Sequence, residues 1–363
     1  LAIGFTAAVD GRIPKIVSGM GEIGPEVMCG APRIFEKVRS TVMLSFPRNS
    51  VKGRIARWAF AVGRESRPYR LAGKSLPPPL AAAYALADKL VFSKLKTQMG
   101  GHIEFLISGS AKLSPKVQGW FYSAGILVIE GYGLTETSAI ACVPHPSKPR
   151  FGTVGPPLPG TEIKVADDGE ILIKGPLVMR GYHKRPDLTA EVLKDGWFHT
   201  GDIGELDEAG YLIINDRKKD LLKTSGGKYV APAKVESAIA ASVPYVSQVV
   251  AVGDGRKYVS ALLTLDRDTV LRWAERRNLG IQTYEEIIAS DVFLTTIGNY
   301  IERANGHLER WETVKRFHIL PNEFGVHDGG VTPSLKIRRA TITKYYADVV
   351  ASLYDEELVA GEE

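Results

Sequence analysis

The chain has 363 residues, 44% hydrophobic and 24% charged, a balance that supports a sizeable core and two domains and excludes a disordered or fibrous chain. Lys and Arg number 46 against 41 Asp and Glu, a net charge of +5 spread along the sequence; this suits a small anionic ligand and gives little reason to expect nucleic acid. Its 2 cysteines, Cys29 and Cys142, lack a CxxC partner, which excludes a disulfide scaffold and fits a reducing compartment, and no apolar run is long enough to span a bilayer.

Residues 1–9 are apolar, have no basic residues before them and do not begin with methionine, so they read as a stretch packed against a preceding part of a domain rather than as a signal peptide. Cys29-Gly30-Ala31-Pro32 has turn chemistry and leads into a helical pattern from Arg33 to Val38. Residues 45–70 carry Arg48, Arg54, Arg57, Arg64, Arg67 and Arg70, the composition of a solvated helix face. Leu76-Pro77-Pro78-Pro79 is a stiff break. Residues 81–96 follow as an amphipathic helix with Tyr84, Leu86, Leu90, Val91 and Leu95 as its apolar positions. Residues 103–107 form a strand pattern, Ser114-Pro115 opens a helix bearing Val117, Trp120 and Phe121, and residues 126–129 form a second strand. So short a crossover makes the two strands parallel. Their carboxyl ends run into Gly109-Ser110-Ala111 and Gly131-Tyr132-Gly133, on the edge where open α/β sheets place ligands.

Farther along, residues 160–165 and 170–174 form a hairpin across Asp167-Asp168-Gly169. Trp197-Phe198-His199-Thr200-Gly201-Asp202 and Gly210-Tyr211-Leu212-Ile213-Ile214 continue as strand-and-turn units. Asp216-Arg217-Lys218-Lys219-Asp220 is a dense charged run, after which the pattern changes. Residues 232–242 read as a helix with Val235, Ile239 and Ala240 on one face; residues 246–252 and 258–265 read as strands, and helical patterns fill most of the rest. The expected domains are therefore 1–218 and 219–363.

Several residues could carry chemistry. Tyr132 offers a flat face, Thr135 an oxygen and Glu136 a hard metal ligand, together suiting an adenine ring, a phosphate and Mg²⁺, or else a tight turn after a core strand. Asp202, after Thr200-Gly201, could accept two hydrogen bonds from a ribose diol or be a turn aspartate. Arg217 could reach the same sugar or a phosphate, or form a surface ion pair. Thr224-Ser225-Gly226-Gly227-Lys228 is a glycine loop without the GxxxxGK[ST] spacing. Lys336, within Pro333-Ser334-Leu335-Lys336, could be no more than a solvated lysine.

In order and context these segments resemble the adenylate-forming (AMP-binding) acyl-CoA synthetases, most closely the long-chain fatty acid–CoA ligase branch. The resemblance is carried by 131–136, by Gly152-Thr153-Val154-Gly155 with Pro159-Gly160, by Gly169-Glu170-Ile171-Leu172, and by 197–202, 216–220 and 333–336; Ala31-Pro32-Arg33-Ile34-Phe35-Glu36-Lys37 resembles an upstream segment of that branch. It implies an α/β fold: the carboxyl-terminal part of a large adenylate-forming domain of mixed sheets and helices, plus a smaller mobile α+β domain. It implies that Tyr132 stacks on adenine beside Gly133, that Gly109, Ser110 and Ala111 border the adenine and acyl pocket, and that Thr135 holds a phosphate. Glu136 would bind Mg²⁺, Asp202 and Arg217 the ribose hydroxyls. Lys219 would be the hinge, Gly226 and Gly227 would admit the pantetheine arm of CoA, and Lys336 would serve the first half-reaction. The implied substrates are a fatty acid, ATP and CoA, in a cytoplasmic setting with peripheral membrane contact left open.

The family's first ATP-phosphate loop, a Ser/Thr/Gly-rich run ending in proline-lysine-glycine, has no counterpart here. The expectation is that it precedes Leu1, with about a third or more of the usual enzyme, and that this segment or a partner chain is needed for a full site. A truncated remnant that binds AMP or CoA without catalysis, an interaction module exposing the cut core, and adenylation of a medium-chain or aryl acid are the competing readings.

Overall fold

A computed structural model describes residues 4, 6–8, 16–46, 50–280, 283–332 and 336–354. Expectations placed on Arg48, on Pro333-Ser334-Leu335 and on much of residues 1–9 lie outside them. The described residues divide into two compact units, the first drawn from Leu1–Gly109, Pro115–Thr135 and Ala139–Leu158, the second from Ser110–Ser114, Glu136–Ser138 and Pro159–Glu363.

The first unit runs α1 (Ile16–Ile23), β1 (Val27–Gly30), α2 (Pro32–Leu44), α3 (Val51–Leu71), α4 (Pro78–Ala87), α5 (Ser93–Gln98), β2 (Phe105–Ser108), α6 (Pro115–Ser123) and β3 (Leu127–Glu130). The strands form a parallel sheet in the order β1-β2-β3. The strand–helix–strand unit expected around α6 is present. Val117, Trp120 and Phe121 are buried on α6, with Phe60 of α3 stacked on Trp120 at 4.8 Å and Phe35 of α2 meeting Phe121 edge-on at 6.1 Å.

Two expectations are corrected here. Cys29 and Gly30 lie in β1, not in a turn; four residues with alternating exposure are too few for a periodic signal, and it is pairing with β2 that makes them a strand. The helix expected over 81–96 is interrupted by a π-helical turn at Asp88–Phe92 between α4 and α5. The wider turn shifts the helical register. Of the expected apolar positions, Val91 and Leu95 are buried while Leu86 and Leu90 are 49% and 40% exposed, and Leu80, Ala87 and Phe92 also enter the core. The arginine face is largely as read: Arg54, Arg57 and Arg64 are exposed. Arg70 departs from it, donating hydrogen bonds to Tyr84 Oη and the Tyr122 carbonyl at 2.9 and 2.8 Å while its guanidinium lies over both rings.

The second unit opens with the expected hairpin, β4 (Glu162–Val165) and β5 (Glu170–Lys174). After α7 (Pro186–Val192) come β6 (Leu193–Lys194), β7 (Trp197–Leu206) and β8 (Leu212–Arg217). The sheet order is β4-β5-β7-β6, with β8 also pairing β7, all antiparallel. A short hairpin of β9 (Leu222–Lys223) and β10 (Tyr229–Val230) leads to α8 (Pro232–Ser242), where Ala241 rather than Ala240 is buried beside Val235 and Ile239. Then follow β11 (Val246–Val252), β12 (Val259–Leu265), α9 (Arg267–Glu275), α10 (Tyr284–Ala289), α11 (Asp291–Asn305), β13 (Val314–Ile319), α12 (Arg339–Tyr345) and α13 (Ala347–Ser352). β12 is buried along its whole length, between antiparallel β11 and parallel β13. β13 was not picked out in a stretch read as mostly helical; its sequence, VKRFHI, spends two of six positions on basic side chains and hides its strand character. Val250, Leu262, Phe324, Val331 and Tyr354 form the core beneath α12 and α13. Among the described residues no helix is long and apolar enough to cross a membrane.

Candidate active site

In the first unit the two glycine loops leave the sheet side by side. The Gly109 N–H donates to the Gly30 carbonyl at 3.1 Å and the Gly131 N–H to the Ser108 carbonyl at 2.9 Å. The backbone of Tyr132 is then pinned to the next passage of the chain: its N–H donates to the Cys142 carbonyl at 2.9 Å, and its carbonyl accepts from the N–H groups of Ala141 and Cys142 at 2.8 and 3.0 Å. This fixes the backbone at the half-buried Tyr132. Cys142 is wholly buried, which pushes its thiol up to about 12, so it is inert at neutral pH. At Gly133 the chain doubles on itself so closely that an added Cβ would lie 1.8 Å from the Ala139 carbonyl oxygen. Thr135 is exposed and opens a short 3₁₀ turn, Thr135–Thr137.

Glu136, Ser110 and Ala111 belong to the second unit. The Tyr182 hydroxyl donates to Glu136 Oε1 at 2.9 Å, and the Met179 N–H donates to the Glu136 carbonyl at 2.7 Å. Burial and the adjacent carboxylate hold the Tyr182 hydroxyl above its ordinary range. Sequence reading missed Tyr182: a lone tyrosine 46 residues away carries no spacing signal. Among the described residues no cluster of three or more His, Cys, Asp or Glu could hold a metal. A single anchored carboxylate fits a Mg²⁺ that arrives with its phosphates rather than one held in a protein cage. Ser110, exposed with a left-handed φ of 73°, and the exposed Ala111 precede Lys112, whose ammonium donates to the Ile214 carbonyl of β8 at 2.9 Å.

Asp202 and Arg217 are brought together. They face each other in the β7–β8 register, with Arg217 Nε 3.2 Å from Asp202 Oδ1. Asp202 is a strand residue, not the turn residue expected; its turn-like sequence marks a distortion inside β7. Gly201 has a φ of +68°, and the pairing with β8 slips between Ile203 and Gly204. Asp202 is 4% exposed whereas the Arg217 side chain is largely open. Around them, Thr200 Oγ1 accepts the Asp202 N–H at 3.0 Å and donates to the Ile171 carbonyl at 2.7 Å.

The remaining candidates lie farther along the second unit. Lys219 is exposed in a 3₁₀ turn, Lys218–Asp220. Gly226 and Gly227 are exposed at the tip of the β9–β10 hairpin, which is closed by the Thr224 N–H donating to the Lys228 carbonyl at 2.9 Å. Lys336 is exposed; its N–H donates to Thr332 Oγ1 at 3.0 Å and its carbonyl accepts the Thr332 N–H at 2.8 Å, while the adjoining bridge between Val331 and Ile337 packs on the core.

Comparison with known proteins adds to this geometry. Residues 2–183 match the family model described as AMP-binding enzyme, and residues 219–358 that described as AMP-binding enzyme C-terminal domain. The chain is 37% identical over 358 residues to a putative fatty-acid–CoA ligase of Mycobacterium tuberculosis, with 97% of this chain and 62% of the relative aligned. It is 34% identical over 363 residues to a long-chain-fatty-acid–CoA ligase of Mycobacterium bovis, covering 98% of this chain and 58% of the relative. It thus spans about three fifths of those relatives' length. Among solved structures, the adenylation domain of a carboxylate reductase from Mycobacterium chelonae superposes with a TM-score of 0.71 at 21% identity, covering 96% of this chain and 49% of the other. At that identity the match supports the α/β fold alone.

Proposed function

This chain belongs to the AMP-binding enzyme family, and on that premise we propose that it activates a fatty acid with ATP and delivers the acyl group to CoA. The observation that carries this reading is the buried Asp202 paired with Arg217. A carboxylate so held keeps its direction, as the capture of a ribose diol requires. The names of the relatives, fatty-acid–CoA ligases at 34% to 37% identity, favour an aliphatic acid, and a long-chain one.

In the reaction proposed, a carboxylate oxygen of the fatty acid attacks the α-phosphorus of ATP, pyrophosphate leaves, and an acyl adenylate forms. The CoA sulfur then attacks the acyl carbon, AMP leaves, and a thioester results. Tyr132 stacks on adenine, with Gly109, Gly133, Ser110 and Ala111 supplying close backbone approach. Asp202 and Arg217 take the ribose hydroxyls. Thr135 donates its hydroxyl to a phosphate, and Glu136, oriented by Tyr182, supplies a ligand for Mg²⁺. When bound, that ion neutralises charge gathering on the phosphate oxygens. Lys336 supplies positive charge in the first step. The hairpin tip at Gly226 and Gly227 leaves room for the pantetheine arm in the second, and Lys219 is the point about which the carboxyl-terminal domain, 219–363, turns between steps.

The test is to express the protein from its complete open reading frame and measure ATP–pyrophosphate exchange and acyl-CoA formation with palmitate, octanoate and benzoate. Palmitate-dependent exchange that Asp202→Ala abolishes is the expected result. Exchange with benzoate alone would move the substrate to aryl acids, and exchange with none of the acids would overturn the reading.

A further inference from the structure

We propose that Glu170 is a positioning residue for the nucleotide site: a buried carboxylate that clamps β7 to the end of β8 and so sets the direction of Asp202. The proposal rests on the reading of Asp202 as a ribose ligand.

Asp202 lies where the sheet is least regular. The β5–β7 pairing slips between Glu170 and Leu172, and the β7–β8 pairing slips between Ile203 and Gly204. A strand with slips on both sides loses ladder hydrogen bonds that would otherwise fix its backbone. Side chains take over that task. Glu170, 8% exposed, accepts the Gly201 N–H on Oε1 at 2.9 Å. Its Oε2 lies 3.2 Å from Lys218 Nζ and 3.4 Å from His199 Nδ1. Lys218 is held from its other side by Asp168 Oδ2 at 2.6 Å, and Asp168 Oδ1 accepts the Glu170 N–H at 3.1 Å.

One carboxylate therefore grips the residue before Asp202, in β7, and the residue after Arg217, in the 3₁₀ turn that follows β8. The left-handed Gly201 leaves its N–H pointing away from the regular ladder and toward Glu170. Burial opposes the charge on Glu170, but the Gly201 N–H, Lys218 and His199 outweigh it and hold the carboxyl below the usual glutamate range, so it is ionised at neutral pH. Charge-assisted bonds of this kind are the stronger ones. A binding group has to be held within about 0.5 Å of its productive place, and Asp202 reaches that precision through neighbours that Glu170 ties down.

The experiment measures binding of AMP and of 2′,3′-dideoxyadenosine 5′-monophosphate by calorimetry, with wild type, Asp202→Asn, Glu170→Gln and Lys218→Met. Wild type should prefer AMP about 10-fold or more, the worth of a hydrogen bond to a charged group. Glu170→Gln should weaken AMP alone and bring the two affinities within about 2-fold. Lys218→Met, an exposed change that removes the other end of the clamp, should lower the preference in the same direction and guards against a Glu170 variant that fails to fold. If wild type discriminates, Asp202→Asn does not, and Glu170→Gln and Lys218→Met keep the full preference, the clamp is overturned while the ribose reading stands. If both nucleotides weaken equally in Glu170→Gln, its role is structural and the proposal fails. If wild type binds the two alike, the ribose reading falls, and the clamp with it.

Discussion

An added Cβ at Gly133 would meet the Ala139 carbonyl oxygen at 1.8 Å, whereas at Gly226 the nearest atom is Thr224 Oγ1 at 3.9 Å. Two glycines of candidate loops are thus unlike in what they permit. Gly133→Ala forces the loop apart and should cost about 1–3 kcal/mol, as overpacking does, measured by urea unfolding. Gly226→Ala should stay within about 0.5 kcal/mol of wild type, so any effect it has on the CoA-dependent step would be an effect on binding. Residue type and order supplied the residues on which the proposed roles rest: tyrosine, threonine and glutamate after a buried strand, aspartate after threonine-glycine. Burial of Asp202, the hydroxyl that Tyr182 gives to Glu136 and the grip of Glu170 on Gly201 were not readable, because each joins residues with no regular spacing.

Helix α8 shows how an element draws on residues far from it. Its first residue, Pro232, has no N–H to leave unsatisfied. The next N–H, of Ala233, donates to Asp216 Oδ2 at 2.8 Å, and Asp216 Oδ1 accepts the Arg217 N–H at 2.7 Å. The cap of α8 is thus supplied from β8. Burial, with Glu236 adding to it against the two N–H groups and Arg339, raises the Asp216 carboxyl to about 6. A carboxyl whose folded value lies above its unfolded one binds more protons when folded. Its contribution to stability is therefore greatest below about pH 4 and is lost as pH rises through about 6. The difference in unfolding free energy between wild type and Asp216→Asn should shift against wild type by on the order of 3 kcal/mol from pH 4 to pH 7, measured by denaturant unfolding across that range; a flat difference would contradict the assignment. The helix itself was legible, its bounds matching the expectation of 232–242. The helix over 81–96 was legible as a helix, but the π turn within it was not, because it changes the period on which an amphipathic reading depends.

For the whole molecule, the reading that one chain runs two half-reactions makes a separable prediction. Lys336→Ala should lower adenylation of the acid by about 10²-fold, followed as pyrophosphate release. Thioester formation from preformed acyl adenylate and CoA should be spared, and equal loss in both steps would remove the role given to Lys336. Its setting suits the assignment: the side chain is exposed while the flanking Val331 and Ile337 anchor the turn in the core. The carboxyl-terminal family match begins at residue 219, in the charged run where the sequence pattern changes. The division into compact units instead falls after Leu158 and passes through the 3₁₀ turn between Thr135 and Glu136.

The sequence by itself determined the family, the α/β class, the parallel pair around α6 and the hairpin of β4 and β5, since these depend on local order and on periodicity within a few turns or strands. Tertiary structure decided that Cys29 and Gly30 form a strand, that VKRFHI joins a sheet, and that Asp202 meets Arg217 within a distorted ladder. Those outcomes depend on backbone hydrogen bonds to partners distant in the chain, and such bonds leave no period for a sequence to display.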